Sequence, residues 1–122
     1  MRMLIVDDSR TMRNFLGALA RGLAFDIQEA GDGQEAIERL EDDDRYDIAL
    51  VDWDMPRMNG LTLVGEVRSR PEYDSMKLLM VTAQCSMDAV TQALTGGADD
   101  YLMKPITPEM FEDKLRLMGV LE

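Results

Sequence analysis

Short apolar runs recur along the chain, separated by longer stretches in which apolar residues return every three or four positions. Met3–Val6, Ile48–Val51 and Leu78–Val81 are apolar throughout, as strands buried on both faces of a parallel sheet must be. The pattern predicts strands over Met3–Val6, Phe25–Glu29, Asp47–Val51, Lys77–Val81 and Asp100–Met103, alternating with five helices. Repeated strand–helix units of this kind form an α/β sheet covered by helices on both sides.

The first helix is expected near Ser9–Leu23, with Met12, Phe15, Leu16, Leu19 and Leu23 on its inward stripe and Gly22 as a break. Asp32-Gly33 opens a second helix that turns Ala36, Ile37 and Leu40 to the sheet, and the charged stretch Glu41–Arg45 closes it. Pro56 and Asn59-Gly60 bar regular structure from residues 52–60; Leu61–Arg70 resumes a helix that Pro71 stops. A fourth helix spans Ser86–Thr95 and ends on Gly96-Gly97, a left-handed cap. Thr107-Pro108 supplies an N-cap and a first-position proline for the last helix, with Met110, Phe111, Leu115 and Met118 inward.

A length of 122 residues suits one domain over 1–122. The 13 Lys and Arg face 24 Asp and Glu, and a net charge of -11 argues against contact with nucleic acid or an anionic membrane. The N-terminus enters a strand at once and no run reaches the length of a signal or membrane span, so the chain reads as soluble and cytoplasmic. The absence of histidine excludes Ser-His and Cys-His catalysis within the chain, and Cys85 alone forms no internal disulfide and reads as a partly buried thiol. Eleven methionines read mainly as core filling, with Met87 and Met103 as candidate partner contacts.

Acids, a hydroxyl and an amine stand where the apolar runs stop: Asp7 and Asp8 after the first, Asp52 after the third, Thr82 after the fourth, Lys104 after the fifth. The carboxyl ends of parallel strands share one edge of the sheet, which is where open α/β folds bind ligands. Two carboxylates held about 5 Å apart repel by roughly 3 kcal/mol at an effective dielectric of 20, so three acids converging there require a cation. Oxygen donors of this kind suit Mg²⁺, with Mn²⁺ able to substitute.

In these motifs the chain resembles the receiver domain of two-component response regulators, of the stand-alone CheY-like type, over essentially its whole length. The resemblance implies a doubly wound five-stranded parallel sheet of order 2-1-3-4-5 flanked by five helices. It implies Asp52 as phospho-acceptor, Thr82 as switch hydroxyl, Tyr101 as switch aromatic and Lys104 as the lysine, with Pro105 following through a cis peptide. The metal would be held by Asp8, Asp52 and the backbone carbonyl of Asp54, with Asp7 acting mostly through water. The phosphodonor would be a histidine kinase or a histidine phosphotransfer protein, and the output target a protein at the face of the fourth helix, fifth strand and fifth helix. The stretch Asp7–Arg13 leans toward chemotaxis-type regulators, and the chain is expected to be a monomer or weak dimer.

Asp54 and Gln84, two residues beyond Asp52 and Thr82, flank the same opening and are candidates for tuning phosphoryl lifetime; for Gln84 a solvated loop amide is the simpler expectation. Two rival readings stay open. Asp52-Trp53-Asp54 after an apolar strand also looks like the nucleophile motif of haloacid-dehalogenase-type phosphohydrolases, although Met55-Pro56 departs from it and no room remains for a substrate cap. The same fold could also serve as a phosphorylation-independent adaptor.

Overall fold

The computed structural model describes residues 1–43 and 45–121; Asp44, within the charged stretch expected to close the second helix, and Glu122 lie outside the described residues. The elements follow in the order β1 (Arg2–Val6), α1 (Arg10–Gly22), β2 (Asp26–Ala30), α2 (Gly33–Asp42), β3 (Ile48–Val51), α3 (Gly60–Arg68), a 3-10 turn (Pro71–Tyr73), β4 (Lys77–Thr82), α4 (Met87–Gly96), β5 (Asp100–Met103) and α5 (Pro108–Leu117). All strand pairs are parallel and the sheet order is β2-β1-β3-β4-β5.

Because successive strand residues face opposite ways, the sheet divides its side chains between two cores by parity. Leu4, Val6, Ala49, Val51, Leu78, Met80 and Tyr101 meet Ala36, Ile37, Leu40, Leu63, Val64, Val67 and Ala93 from α2, α3 and α4. Met3, Ile5, Ile48, Leu50, Leu79, Val81 and Leu102 meet Leu16, Ala20, Phe111 and Leu115 from α1 and α5. Each helix starts on a side-chain cap: Ser9, Asp32, Asn59, Ser86 and Thr107 each accept the backbone N–H three residues on.

Arg68 fastens the end of α3 to the rest of that layer. Its guanidinium donates to the carbonyls of Gly97, Tyr73 and Met76 at 2.8–3.0 Å and pairs with Asp99 at 2.8 Å. Gly97, at φ +122°, ends α4 beside it, and a Cβ there would fall 2.4 Å from Arg68 Cγ.

Several expectations need correction. β2 begins one residue later than expected, and β4 extends to include Thr82. α3 already ends at Arg68, and Pro71 starts a 3-10 turn; α1 ends at Gly22 as expected, but the left-handed residue that follows it is Ala24 at φ +69°. Phe15 and Met110 lie at the surface. The centre of the α1 contact is Leu16, Gly17 and Ala20, where a Cβ on Gly17 would fall 2.9 Å from Ile27 Cδ1; these small residues let the helix approach the sheet and rotate Phe15 outward. Met3, Met76 and Met80 are the fully buried methionines, while Met1, Met87, Met103 and Met110 are exposed.

Candidate functional site

The strand register brings the five polar residues to one end of the sheet. Val6 pairs with Val51, so Asp7 and Asp52 follow from neighbouring strands, and the Asp52 N–H donates to the Val6 carbonyl at 2.9 Å. Thr82 pairs with Met103 across β4 and β5, and the Lys104 N–H donates to the Thr82 carbonyl at 2.9 Å. The Lys104–Pro105 peptide is cis.

Carboxylate oxygens of Asp7, Asp8 and Asp52 all lie within 4.8 Å of one another. Asp7 and Asp52 are buried and Asp8 is exposed. Lys104 Nζ sits 2.9 Å from Asp7 Oδ2 and 3.7 Å from Asp52 Oδ1, one ammonium against three carboxylates. Asp7 Oδ1 also accepts the Ser9 N–H at 2.9 Å, and Asp52 Oδ1 accepts that of Trp53 at 2.9 Å. Burial holds the Asp52 carboxyl above its ordinary range, and the Asp7 charge adds to this against Lys104, the Thr82 hydroxyl and the Trp53 N–H. A cluster with surplus negative charge, oxygen donors alone and an exposed member open to solvent fits a hard divalent cation. It fits a soft metal badly.

Thr82 is fully buried, and its Oγ1 accepts the Gln84 N–H at 3.3 Å. Tyr101 lies inward, in the core shared with α2, α3 and α4, and its hydroxyl donates to the Gln84 carbonyl at 2.7 Å. Burial raises the Tyr101 phenol above its ordinary value. Gln84 is not the solvated amide expected: its Nε2 donates to Asp54 Oδ2 at 2.9 Å, joining the loop after β3 to the loop after β4 across the opening. The geometry makes this a bridge because an exposed carboxylate faces a half-buried amide held at its own backbone by Thr82 and Tyr101. Cys85, next to Gln84, is exposed where a partly buried thiol was expected. Trp53 is half-buried, packed against the core beside Asp52.

Two features were not legible as parts of the site. Arg13 donates to the Asp7 carbonyl at 2.7 Å and to Glu29 at 3.0 Å, fixing the end of β1 to α1; only its place in the first turn after the acid pair hinted at this. Asp32, read as a turn residue, is buried and pairs with Arg57 of the loop after β3. Among the described residues, no helix is long and apolar enough to cross a membrane.

Residues 3–116 match the response regulator receiver domain family. The chain is 40% identical over 116 residues to a chemotaxis protein CheY homolog of Campylobacter jejuni, covering 94% of this chain and 89% of that one. It is 37% identical to chemotaxis protein CheY1 of Helicobacter pylori over 119 residues, 97% of this chain and 96% of the other. Among solved structures, chemotaxis protein CheY4 of Vibrio cholerae superposes with a TM-score of 0.89 at 29% identity, covering 95% of this chain and 96% of that one.

Proposed function

Since the chain belongs to the response regulator receiver domain family, whose CheY-like members are signalling domains of two-component systems and chemotaxis, we propose that Asp52 is its phosphoryl acceptor. The observation that carries this reading is the buried Asp52 at the end of β3, with the Asp7 and Asp8 oxygens within 4.8 Å and Lys104 Nζ at 3.7 Å. Membership of this family points to a histidine kinase or histidine phosphotransfer protein as phosphodonor, and any phosphohistidine must lie on that partner because the chain has no histidine of its own. An Asp52 oxygen forms the new bond to phosphorus as the bond from phosphorus to the donor's imidazole nitrogen breaks, and the imidazole leaves with that electron pair.

Asp8, Asp52 and the Asp54 carbonyl would hold Mg²⁺, or Mn²⁺ in its place, with Asp7 acting mostly through water. When bound, the ion neutralises charge that the carboxylates and the incoming phosphoryl group would otherwise set against each other. Lys104 exchanges its pairing with Asp7 for the phosphoryl oxygens, and Thr82 turns its hydroxyl toward them. Phosphorylation exchanges one negative charge for roughly two and adds acceptor oxygens. Through Thr82, Gln84 and Tyr101 that change reaches the face formed by α4, β5 and α5, where a protein target docks. Met87 on α4 and Met103 on β5 are exposed, and the family match over residues 3–116 supports reading 1–122 as one receiver unit.

This reading makes the chain a phospho-accepting switch, with the phosphohydrolase as its rival. Against the rival, the Asp54 carboxylate that it needs as an acid-base accepts a hydrogen bond from Gln84. Incubation with acetyl phosphate and Mg²⁺ is expected to add one phosphoryl group per chain, detected by intact mass, and Asp52→Asn is expected to add none. Retained labelling of Asp52→Asn overturns the assignment, and multiple turnover of small phosphate esters restores the enzyme reading.

A further inference from the structure

The loop joining β3 to α3 is fastened at both its base and its tip. At the base, the Gly60 N–H donates to the Trp53 carbonyl at 2.8 Å, and a Cβ on Gly60 would fall 2.1 Å from the Asp52 carbonyl oxygen. At the tip, Arg57 donates through Nε at 2.9 Å and Nη2 at 2.6 Å to Asp32 Oδ2. Asp32 is the N-cap of α2, and its other oxygen accepts the Glu35 N–H at 2.8 Å. Alongside, the Gly33 N–H donates to the Met58 carbonyl at 3.3 Å, and a Cβ on Gly33 would fall 2.7 Å from Met58 Cβ and from that carbonyl oxygen. Residues 54–56 run between these two fastenings.

Arg57 adopts φ +65°, a left-handed conformation that glycine holds without strain and arginine does not. A strained residue thus occupies the position from which a side chain reaches Asp32. Its guanidinium remains largely exposed, so the pair adds little to global stability. A feature that strains the backbone and contributes little to stability is accounted for by what it holds in place.

We propose that the Asp32–Arg57 ion pair is a positioning device for the divalent-cation site: by drawing the loop tip against α2 it holds the Asp54 backbone carbonyl toward the Asp7, Asp8 and Asp52 cluster. This rests on the reading of that cluster as a cation centre. In this role Arg57, paired with Asp32, acts through the backbone it tethers and not on the cation or the phosphoryl group directly.

The test titrates MgCl₂ into the full chain and follows the fluorescence of Trp53, the single tryptophan, with calorimetry as a second readout. Arg57→Gly relieves the left-handed strain while removing the pair, so its unfolding midpoint without metal is expected to stay within about 3 °C of the wild type. Its Mg²⁺ dissociation constant is expected to rise about tenfold, as for loss of an outer-shell partner. Arg57→Lys, which keeps a charge in reach of Asp32, is expected to recover most of that loss. Asp32→Asn keeps an acceptor for the Glu35 N–H but loses the charge pair; it is expected to weaken Mg²⁺ binding, and its combination with Arg57→Gly to weaken it no further. Mg²⁺ binding within twofold of wild type in Arg57→Gly overturns the proposal, as does independent addition of the two effects. A wild-type chain that fails to bind Mg²⁺ removes the cation reading, and this proposal with it.

Discussion

The surplus of negative charge at the strand ends has a measurable cost to stability, which Asp52→Asn tests. Ionised Asp52 faces the Asp7 carboxylate at no more than 4.8 Å, a repulsion of about 3.5 kcal/mol at an effective dielectric of 20. Asp8 adds a share weakened by its exposure, about half as much. Lys104, 3.7 Å away, returns about 4.5 kcal/mol on the same scale, close to cancelling the two. What remains is the burial of an ionised carboxylate, the largest influence on Asp52, so the neutral amide is expected to stabilise the metal-free chain by about 1–3 kcal/mol. Asparagine keeps the acceptor for the Trp53 N–H and the shape of the side chain. For a domain of this size the gain corresponds to about 4 °C in unfolding midpoint per kcal/mol. The assay is thermal unfolding at pH 7 in EDTA and again in millimolar MgCl₂; magnesium should raise the wild-type midpoint well above its effect on the variant. An Asp52→Asn chain that unfolds at or below the wild-type midpoint in EDTA refutes the reasoning, because the acid would then be stabilised where it sits.

Three further outcomes are expected. Lys104→Met leaves the buried Asp7 carboxylate without its ammonium and should lower stability by about 3 kcal/mol in urea titrations without metal, with partial recovery in MgCl₂. Asp54→Asn should change the lifetime of the phosphorylated chain, followed by intact mass after removal of acetyl phosphate, while shifting the urea midpoint by less than about 0.5 kcal/mol, since the carboxylate is exposed. Burial opposes ionisation of Asp32, but the Glu35 N–H and Arg57 outweigh it and hold the folded carboxyl below its ordinary value of 3.8. The unfolded chain therefore binds more protons between the two values, so the stability from this group is complete above about pH 4 and lost as pH falls through the folded value. The difference in urea midpoint between wild type and Asp32→Asn should shrink over that acid range, and a difference that grows on acidification contradicts it.

The fold was legible because burial on both faces leaves strands such as Ile48–Val51 wholly apolar, and because the cap and proline at Thr107-Pro108 mark a helix start in the sequence itself. The acid cluster was legible for a related reason: parallel strands in register bring the residues after them to one edge, whatever their separation along the chain. Phe15 was misjudged because an amphipathic stripe fixes which side of a helix is apolar but leaves its rotation to the close contact at Gly17, a property of two elements together. The links of Gln84 to Asp54 and of Asp32 to Arg57 join loops 25 or more residues apart, and no local pattern encodes such a pairing.

The fan of bonds from Arg68 has a mechanical consequence. It pins Gly97 and Asp99, and so the far end of α4, to α3 and the 3-10 turn. The near end, starting at Ser86 just past Thr82, meets the core through the small buried residues Ala89 and Ala93 and the partly buried Val90. With Gly97 held in this way, a shift of the loop after β4 would be expected to swing α4 about that end, and the displacement would be largest at Met87, the exposed side chain at the opposite end.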